Sequence, residues 1–116
     1  MQQGSKLLLD MSYLNEVSGV DQNFISLMLN TFKNEAQKFV CDFEKQLQRG
    51  DFSLMRQMAH RMKPTGSYIG AASLTAYLRT LEDSSEKGDY STARSVFEQV
   101  RKLIKNILIE IENLIV

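Results

Sequence analysis

Apolar residues recur every three or four positions along most of the 116-residue chain, which is the spacing of one buried face of an α-helix. The first clear run begins after Asp21, a residue suited to capping a helix N-terminus, and ends at Gly50. The pattern predicts one long helix there. Its apolar positions are Ile25, Met28, Phe32, Ala36, Phe39, Phe43 and Leu47.

Three further runs of the same spacing predict three further helices. The second helix should start near Ser53, the third should lie between Gly70 and Gly88, and the last should run from Asp89 or Tyr90 to near the C-terminus. Their apolar stripes are Leu54, Met55, Met58, Ala59 and Met62; Leu74, Tyr77, Leu78 and Leu81; and Ala93, Val96, Phe97, Val100, Leu103, Ile104, Ile107, Ile111 and Leu114.

Short connections between amphipathic helices favour antiparallel neighbours. The sequence therefore predicts an all-α fold, an antiparallel up-down four-helix bundle with a short extra N-terminal helix around residues 11–18. A mass of 13.3 kDa suits a single domain, because single domains cluster at roughly 100 to 150 residues. We assign residues 10–116 to the bundle domain and residues 1–9 to a linker or tail.

The charge balance excludes several classes of partner. Fourteen basic side chains cancel fourteen acidic ones, so no global field attracts nucleic acid or an anionic membrane. Apolar runs such as residues 107–109 are far shorter than the about 20 residues that a membrane span needs.

The single cysteine, Cys41, cannot form an intramolecular disulfide, which favours a reducing compartment. We expect a cytoplasmic monomer that contacts neither nucleic acid nor membrane.

The chain lacks the motifs of most enzymes. It has no Gly-rich phosphate or dinucleotide loop, no Cys-x-x-Cys pair, no His-Glu-x-x-His, and only one histidine, His60. We therefore expect no autonomous catalysis, no metal site and no cofactor in this chain. A lone helical histidine is often an ordinary surface residue, so its surroundings must decide between that interpretation and a chemical role.

His60 is predicted to face solvent on the second helix, because the apolar stripe lies on the other side. Between residues 52 and 81 there is no acidic residue, whereas four cations occur there: Arg56, Arg61, Lys63 and Arg79. Such surroundings suit a negative group on the imidazole, such as a phosphoryl group with Lys63 one turn away, or an acidic partner surface. A plain solvated basic face is the alternative.

Residues 59–71, with the sequence AHRMKPTGSYIGA, resemble the histidine-containing phosphotransfer (HPt) domain of bacterial phosphorelays, which is found at the end of hybrid sensor histidine kinases. The resemblance covers nearly the whole chain. Other matching positions are Tyr13, Leu14, Asp21, Phe24, Phe32, Leu74, Leu81, Glu82, Gly88 and Asp89. The resemblance implies either a free-standing phosphotransfer protein or a cytoplasmic domain of a membrane-bound sensor kinase.

The resemblance also implies roles for individual residues. The histidine matching His60 takes a phosphoryl group from a receiver-domain aspartate and passes it to another receiver, with the lysine matching Lys63 beside the phosphate. The implied partners are response-regulator receiver domains and a hybrid histidine kinase, and Mg²⁺ belongs to the receiver only. The small residues 65–67 let the receiver approach closely. Predicted partner-binding residues are Arg56, Gln57, Arg61, Pro64, Ser67 and Ile69, with Met62 or Ile69 at an apolar edge.

Two positions leave alternatives open. The family usually has Gly where this chain has Pro64, whose ring would clash with the His60 carbonyl in a regular helix. We therefore predict a kink or an early helix end between residues 63 and 66. If Pro64 blocks transfer, the alternative function is a phosphorylation-independent binding module for a receiver or kinase. Glu82 matches a position that can orient the phospho-acceptor in relatives, or it is a solvated carboxylate at a helix end.

Overall fold

The computed structural model describes residues 9, 10, 12, 16, 19 and 21–115. Its four helices are α1 (Gln22–Arg49), α2 (Phe52–Tyr68), α3 (Ala72–Glu86) and α4 (Tyr90–Ile115), and the described residues contain no strand. The predicted all-α class is confirmed. Apart from Ser12 and Glu16, the predicted helix at residues 11–18 lies outside the described residues. No helix in the described part of the chain is both long enough and apolar enough to span a membrane.

Each helix packs against the next one along the chain, and α4 also packs against α1. This ring of contacts suits an up-down bundle, although the antiparallel topology itself stays a prediction. The core is apolar and is centred on stacked aromatic rings, with the ring centroids of Phe43 and Phe97 4.8 Å apart. Burying such side chains contributes roughly 1.5 to 3 kcal/mol each, which makes this core the main source of stability.

Capping residues fix where the helices start and end. The Asp21 carboxylate accepts hydrogen bonds from the N–H groups of Asn23 and Phe24, at 3.0 and 3.3 Å, and so satisfies donors that α1 leaves unpaired. Asp51 does the same for Leu54 at the start of α2. Gly50 ends α1 in the left-handed conformation, with φ +68°. These caps explain why the predicted start and end of α1 and the predicted start of α2 agree with the observed ones.

The buried stripes differ from the predicted ones at their edges. On α1 the core residue is Leu29, whereas Met28 is only partly buried. Leu54, Tyr77 and Leu114 were also predicted to face the core, but they are exposed. An apolar stripe of three to four residues per two turns is wider than the arc that actually faces the core. Residues at the margin of such a stripe therefore remain at the surface.

The segment before α1 is anchored where α2 meets α3. The N–H of Asp10 donates to the Gly70 carbonyl at 3.1 Å, and the N–H of Leu9 donates to Glu110 Oε1 at 3.0 Å. The Leu9 side chain is only 6% exposed and belongs to the core. The tail predicted over residues 1–9 therefore does not extend to Leu9.

Helix α2 runs through Pro64 and ends at Tyr68, so the predicted early end between residues 63 and 66 is wrong, whereas the alternative, a kink there, stays a prediction. Proline removes the hydrogen bond that residue 64 would donate to His60 and costs up to about 3 kcal/mol inside a helix. Tertiary contacts beyond it offset that cost. Ile69 is buried, Gly66 packs against α3, and the Thr65 hydroxyl donates to Glu35 Oε1 at 3.1 Å.

Candidate functional site

His60 lies on the outward face of α2, and 62% of its side chain is exposed. Helix α3 places Glu82 beside it, with 2.8 Å between His60 Nδ1 and Glu82 Oε2. An ionised carboxylate has no hydrogen to donate, so Nδ1–H must be the donor. In the neutral imidazole the other nitrogen, Nε2, then carries the lone pair. The hydrogen bond thus selects one tautomer and leaves Nε2 as the basic atom.

Glu82 is shared between His60 and a lysine. Its second oxygen, Oε1, lies 2.6 Å from Lys63 Nζ, and the Glu82 and Lys63 side chains are 18% and 25% exposed. The hydrogen bond from Lys63 is the main cause that holds the pKa of Glu82 below its ordinary value of 4.5; the bond from His60 acts in the same direction, and desolvation opposes both. Glu82 is therefore a carboxylate at neutral pH.

This geometry excludes one of the two alternatives that the sequence leaves open for Glu82, a solvated carboxylate at a helix end. The residue is a half-buried carboxylate in contact with the histidine, and not a solvated one. The surroundings of His60 are consequently less positive than the run from residue 52 to 81 suggests. Glu82 is 22 positions away along the chain, and only the way in which α2 packs on α3 brings the two side chains together.

Comparison with known proteins assigns the fold. The family model described as the Hpt domain matches residues 27–113. This chain belongs to the Hpt family. The crystal structure of histidine-containing phosphotransfer protein B (HptB) from Pseudomonas aeruginosa PAO1 is similar, with 26% sequence identity, a TM-score of 0.86, and coverage of 93% of this chain and 94% of that chain. No curated protein matches the sequence. Membership supports a role in histidine phosphotransfer within a phosphorelay.

The Hpt domain exposes three of the six predicted partner-binding residues around His60. Arg61, Pro64 and Ser67 are exposed, whereas Arg56 and Gln57 are partly buried. The described part of the chain shows no ion pair for Arg56 or Arg61. These two cations therefore keep their charge available on the same helix as the histidine.

The apolar edge predicted for this Hpt domain is wrong. Met62 is 5% exposed and Ile69 is 1% exposed, so neither offers surface to a partner. Met62 continues the buried side of α2, and Ile69 follows the last turn of that helix into the core. Gly66 is buried as well, and a Cβ atom there would lie 3.0 Å from Thr75 Oγ1. Thr65 and Gly66 thus serve helix packing, and of residues 65–67 only Ser67 is exposed.

Within the described residues, the Hpt domain has no cluster of three or more His, Cys, Asp or Glu side chains able to hold a metal ion. The contact between Thr65 and Glu35, which ties α2 to α1 beside Pro64, was not predicted from the sequence. No sequence signal indicates it, because the two residues are 30 positions apart and both types are common on solvated helix faces.

Proposed function

We propose that this Hpt domain accepts a phosphoryl group on His60 from the aspartate of one receiver domain and passes it to another in two-component signalling. The observation that carries the proposal is the hydrogen bond from His60 Nδ1–H to Glu82 Oε2. It gives an exposed histidine a defined tautomer whose free nitrogen is a nucleophile. An ordinary surface histidine has no need of such a partner.

In the transfer step, the Nε2 lone pair forms a bond to phosphorus while the bond between phosphorus and the receiver's aspartate oxygen breaks. The aspartate leaves as a carboxylate. The imidazole ring becomes positive as Nε2 gives up its lone pair, and the Glu82 carboxylate faces that charge through Nδ1–H. In the return step the phosphoryl group moves to the next aspartate and Nε2 recovers its lone pair. No proton has to move to or from Nε2.

Lys63 acts first through Glu82 in this proposal. Its ammonium group keeps the carboxylate ionised and in position, because Nζ lies on the oxygen that His60 does not use. A phosphoryl group on His60 adds about two negative charges one helical turn away from Lys63. The lysine can then also stabilise the phosphate, as the family resemblance implies.

The partners that we propose are response-regulator receiver domains and a hybrid histidine kinase. We propose that the Hpt domain is a monomer and meets them in the cytoplasm. Arg56 and Arg61 steer the acidic phosphorylation site of a receiver toward His60, and Gln57, Pro64 and Ser67 form the surface that it meets. Mg²⁺ belongs to the receiver, and this chain needs no cofactor of its own.

A phosphorylation-independent binding module is the weaker candidate. Binding through the basic face would not require a histidine held in one tautomer by a half-buried carboxylate. The concern raised by Pro64 also weakens, because α2 continues past the proline and His60 remains exposed.

The test is transfer from receiver domains of the same genome that have been charged with labelled acetyl phosphate. We expect at least one of them to pass its label to this protein, and the new bond to be labile in acid and stable in base, as a phosphoramidate is. Acetyl phosphate without a receiver is the control and should leave the protein unlabelled. A receiver that binds tightly but never transfers would favour the binding module instead.

A further inference from the structure

A groove of about 390 Å³ lies between α1 and α4, whereas His60 lies where α2 packs on α3, on the other side of the bundle. Of the helix pairs that pack in the described chain, α1 and α4 are the least closely packed. The apolar residues that line the groove are Val40, Ile104, Leu108 and Ile109. Ile109 is 53% exposed, so the groove presents apolar surface that the described residues leave uncovered.

The rim of the groove carries more basic than acidic side chains. Among the described residues that line it, the cations are Lys33, Arg101 and Lys105, and the carboxylate is Glu112. Lys33 meets Glu112 only at 3.8 Å, and Arg101 is paired with Glu98 at 2.7 Å. Lys105 has no ion pair in the described part of the chain. Carboxylates that flank an apolar stripe would therefore meet complementary charge here.

The walls of the groove favour a helical occupant. Both walls are α-helices, whose backbone N–H and C=O groups are bonded within each helix. An extended segment would find no backbone edge to pair with, whereas a helix satisfies its own backbone and can lay an apolar stripe into the groove. The α4 wall runs from Arg101 to Glu112, about 16 Å along the helix axis, which three turns of a third helix would cover.

We infer that this surface, which we call the α1–α4 groove, binds an acidic amphipathic helix of a partner protein. The occupant places apolar side chains over Leu108 and Ile109 and a carboxylate beside Lys105. Because the groove and His60 lie on opposite sides of the bundle, a partner held here leaves the histidine open. Such a tether raises the local concentration of any domain that the partner carries. Binding in the groove needs no phosphoryl transfer, so it is independent of the proposed function.

The probe is a synthetic peptide of about 15 residues, with leucine at helical spacing, glutamate on both sides of that stripe and alanine elsewhere. A second peptide carries lysine in place of each glutamate. We expect the acidic peptide to bind the wild-type protein, to gain helicity in circular dichroism, and to shift the amide NMR signals of α1 and α4 along the groove. The lysine peptide should bind at least about tenfold more weakly. Equal affinity for the two peptides would overturn the inference.

Two matched pairs of variants on α4 localise the binding. Ile109→Asp should weaken the acidic peptide about tenfold, whereas Leu114→Asp, at a position 52% exposed and outside the groove lining, should stay within about twofold of wild type. Lys105→Glu should also weaken it about tenfold. Its control is Lys102→Glu, which reverses an exposed lysine that does not line the groove. Equal losses in a variant and its control would contradict the assignment to the groove.

Thermal unfolding separates binding from folding, because all four changes are at exposed positions and should leave Tm close to that of the wild type. A lower Tm in Ile109→Asp alone would mean that this side chain is packed within the domain, and would overturn the inference.

Three further results would assign the groove to another occupant or to none. Binding to phosphatidylglycerol vesicles but not to the acidic peptide would make the occupant a membrane. A dimer in sedimentation that Ile109→Asp converts to a monomer would make it a second copy of this chain. NMR shifts confined to the surface around His60 would leave the groove without a role. Each of these would overturn the inference, while the proposed function stood.

Discussion

Replacing Glu82 by alanine should slow transfer to His60 about a hundredfold when charged receiver is saturating. The Glu82 carboxylate accepts the hydrogen bond from the His60 ring. Without it, the exposed imidazole is free to rotate and to carry its proton on Nε2 instead of Nδ1. Misplacing a reacting group by about 1 Å can cost about a hundredfold in rate. The positive charge that develops on the ring also loses its compensating anion. Single-turnover transfer from a labelled receiver measures the effect.

Two further variants show which property of Glu82 matters. Glu82→Gln keeps an oxygen that can accept from Nδ1–H but removes the charge, so it should lose less than Glu82→Ala. Glu86→Ala is the matched control, because it removes an exposed carboxylate one turn further along the same helix. That control should transfer at the wild-type rate. A wild-type rate in Glu82→Ala, in a protein shown to be folded by circular dichroism, would refute the positioning role.

Gly70→Ala should cost about 3 kcal/mol of the free energy of unfolding. Gly70 has φ +70°, where an L-residue is strained by roughly 1 to 2 kcal/mol. A Cβ atom there would also clash with the Asp10 carbonyl oxygen, which belongs to the backbone and cannot rotate away. The segment that includes Leu9 would have to leave, and exposing a leucine costs roughly 1.5 to 3 kcal/mol. Urea denaturation measures the loss.

Gly88→Ala is the control for the strain alone. Gly88 has φ +67°, but no atom lies within 4 Å of the position that its Cβ would take. It should therefore cost only about 1 kcal/mol. Equal losses in the two variants would mean that the contact between Asp10 and Gly70 adds nothing to stability.

The helices could be predicted from the sequence because their signals are local. The spacing of apolar residues, the N-cap Asp21 and the glycines that end helices each act within a few residues. The outward position of His60 follows from the same periodicity, since the buried residues of α2 are on the other side.

The features that could not be predicted depend on how helices pack on each other. The contact between His60 and Glu82 requires the register of α2 on α3, which no local pattern encodes. The helix continues through Pro64 because contacts of residues 65, 66 and 69 hold the chain beyond it. Ile69 was predicted at the surface because it lies close to exposed residues at the end of α2. The sequence does not show that the chain turns into the core at that point.

The most direct test of the account is to locate the phosphorus atom on the charged protein. ³¹P and ¹⁵N NMR of wild-type protein labelled by its receiver should show a single phosphohistidine, at His60 and bonded through Nε2, with Nδ1 protonated and hydrogen-bonded. His60→Gln, treated in the same way, should take up no label and should remain folded. Phosphate on Nδ1, on another residue, or in the His60→Gln protein would contradict the account.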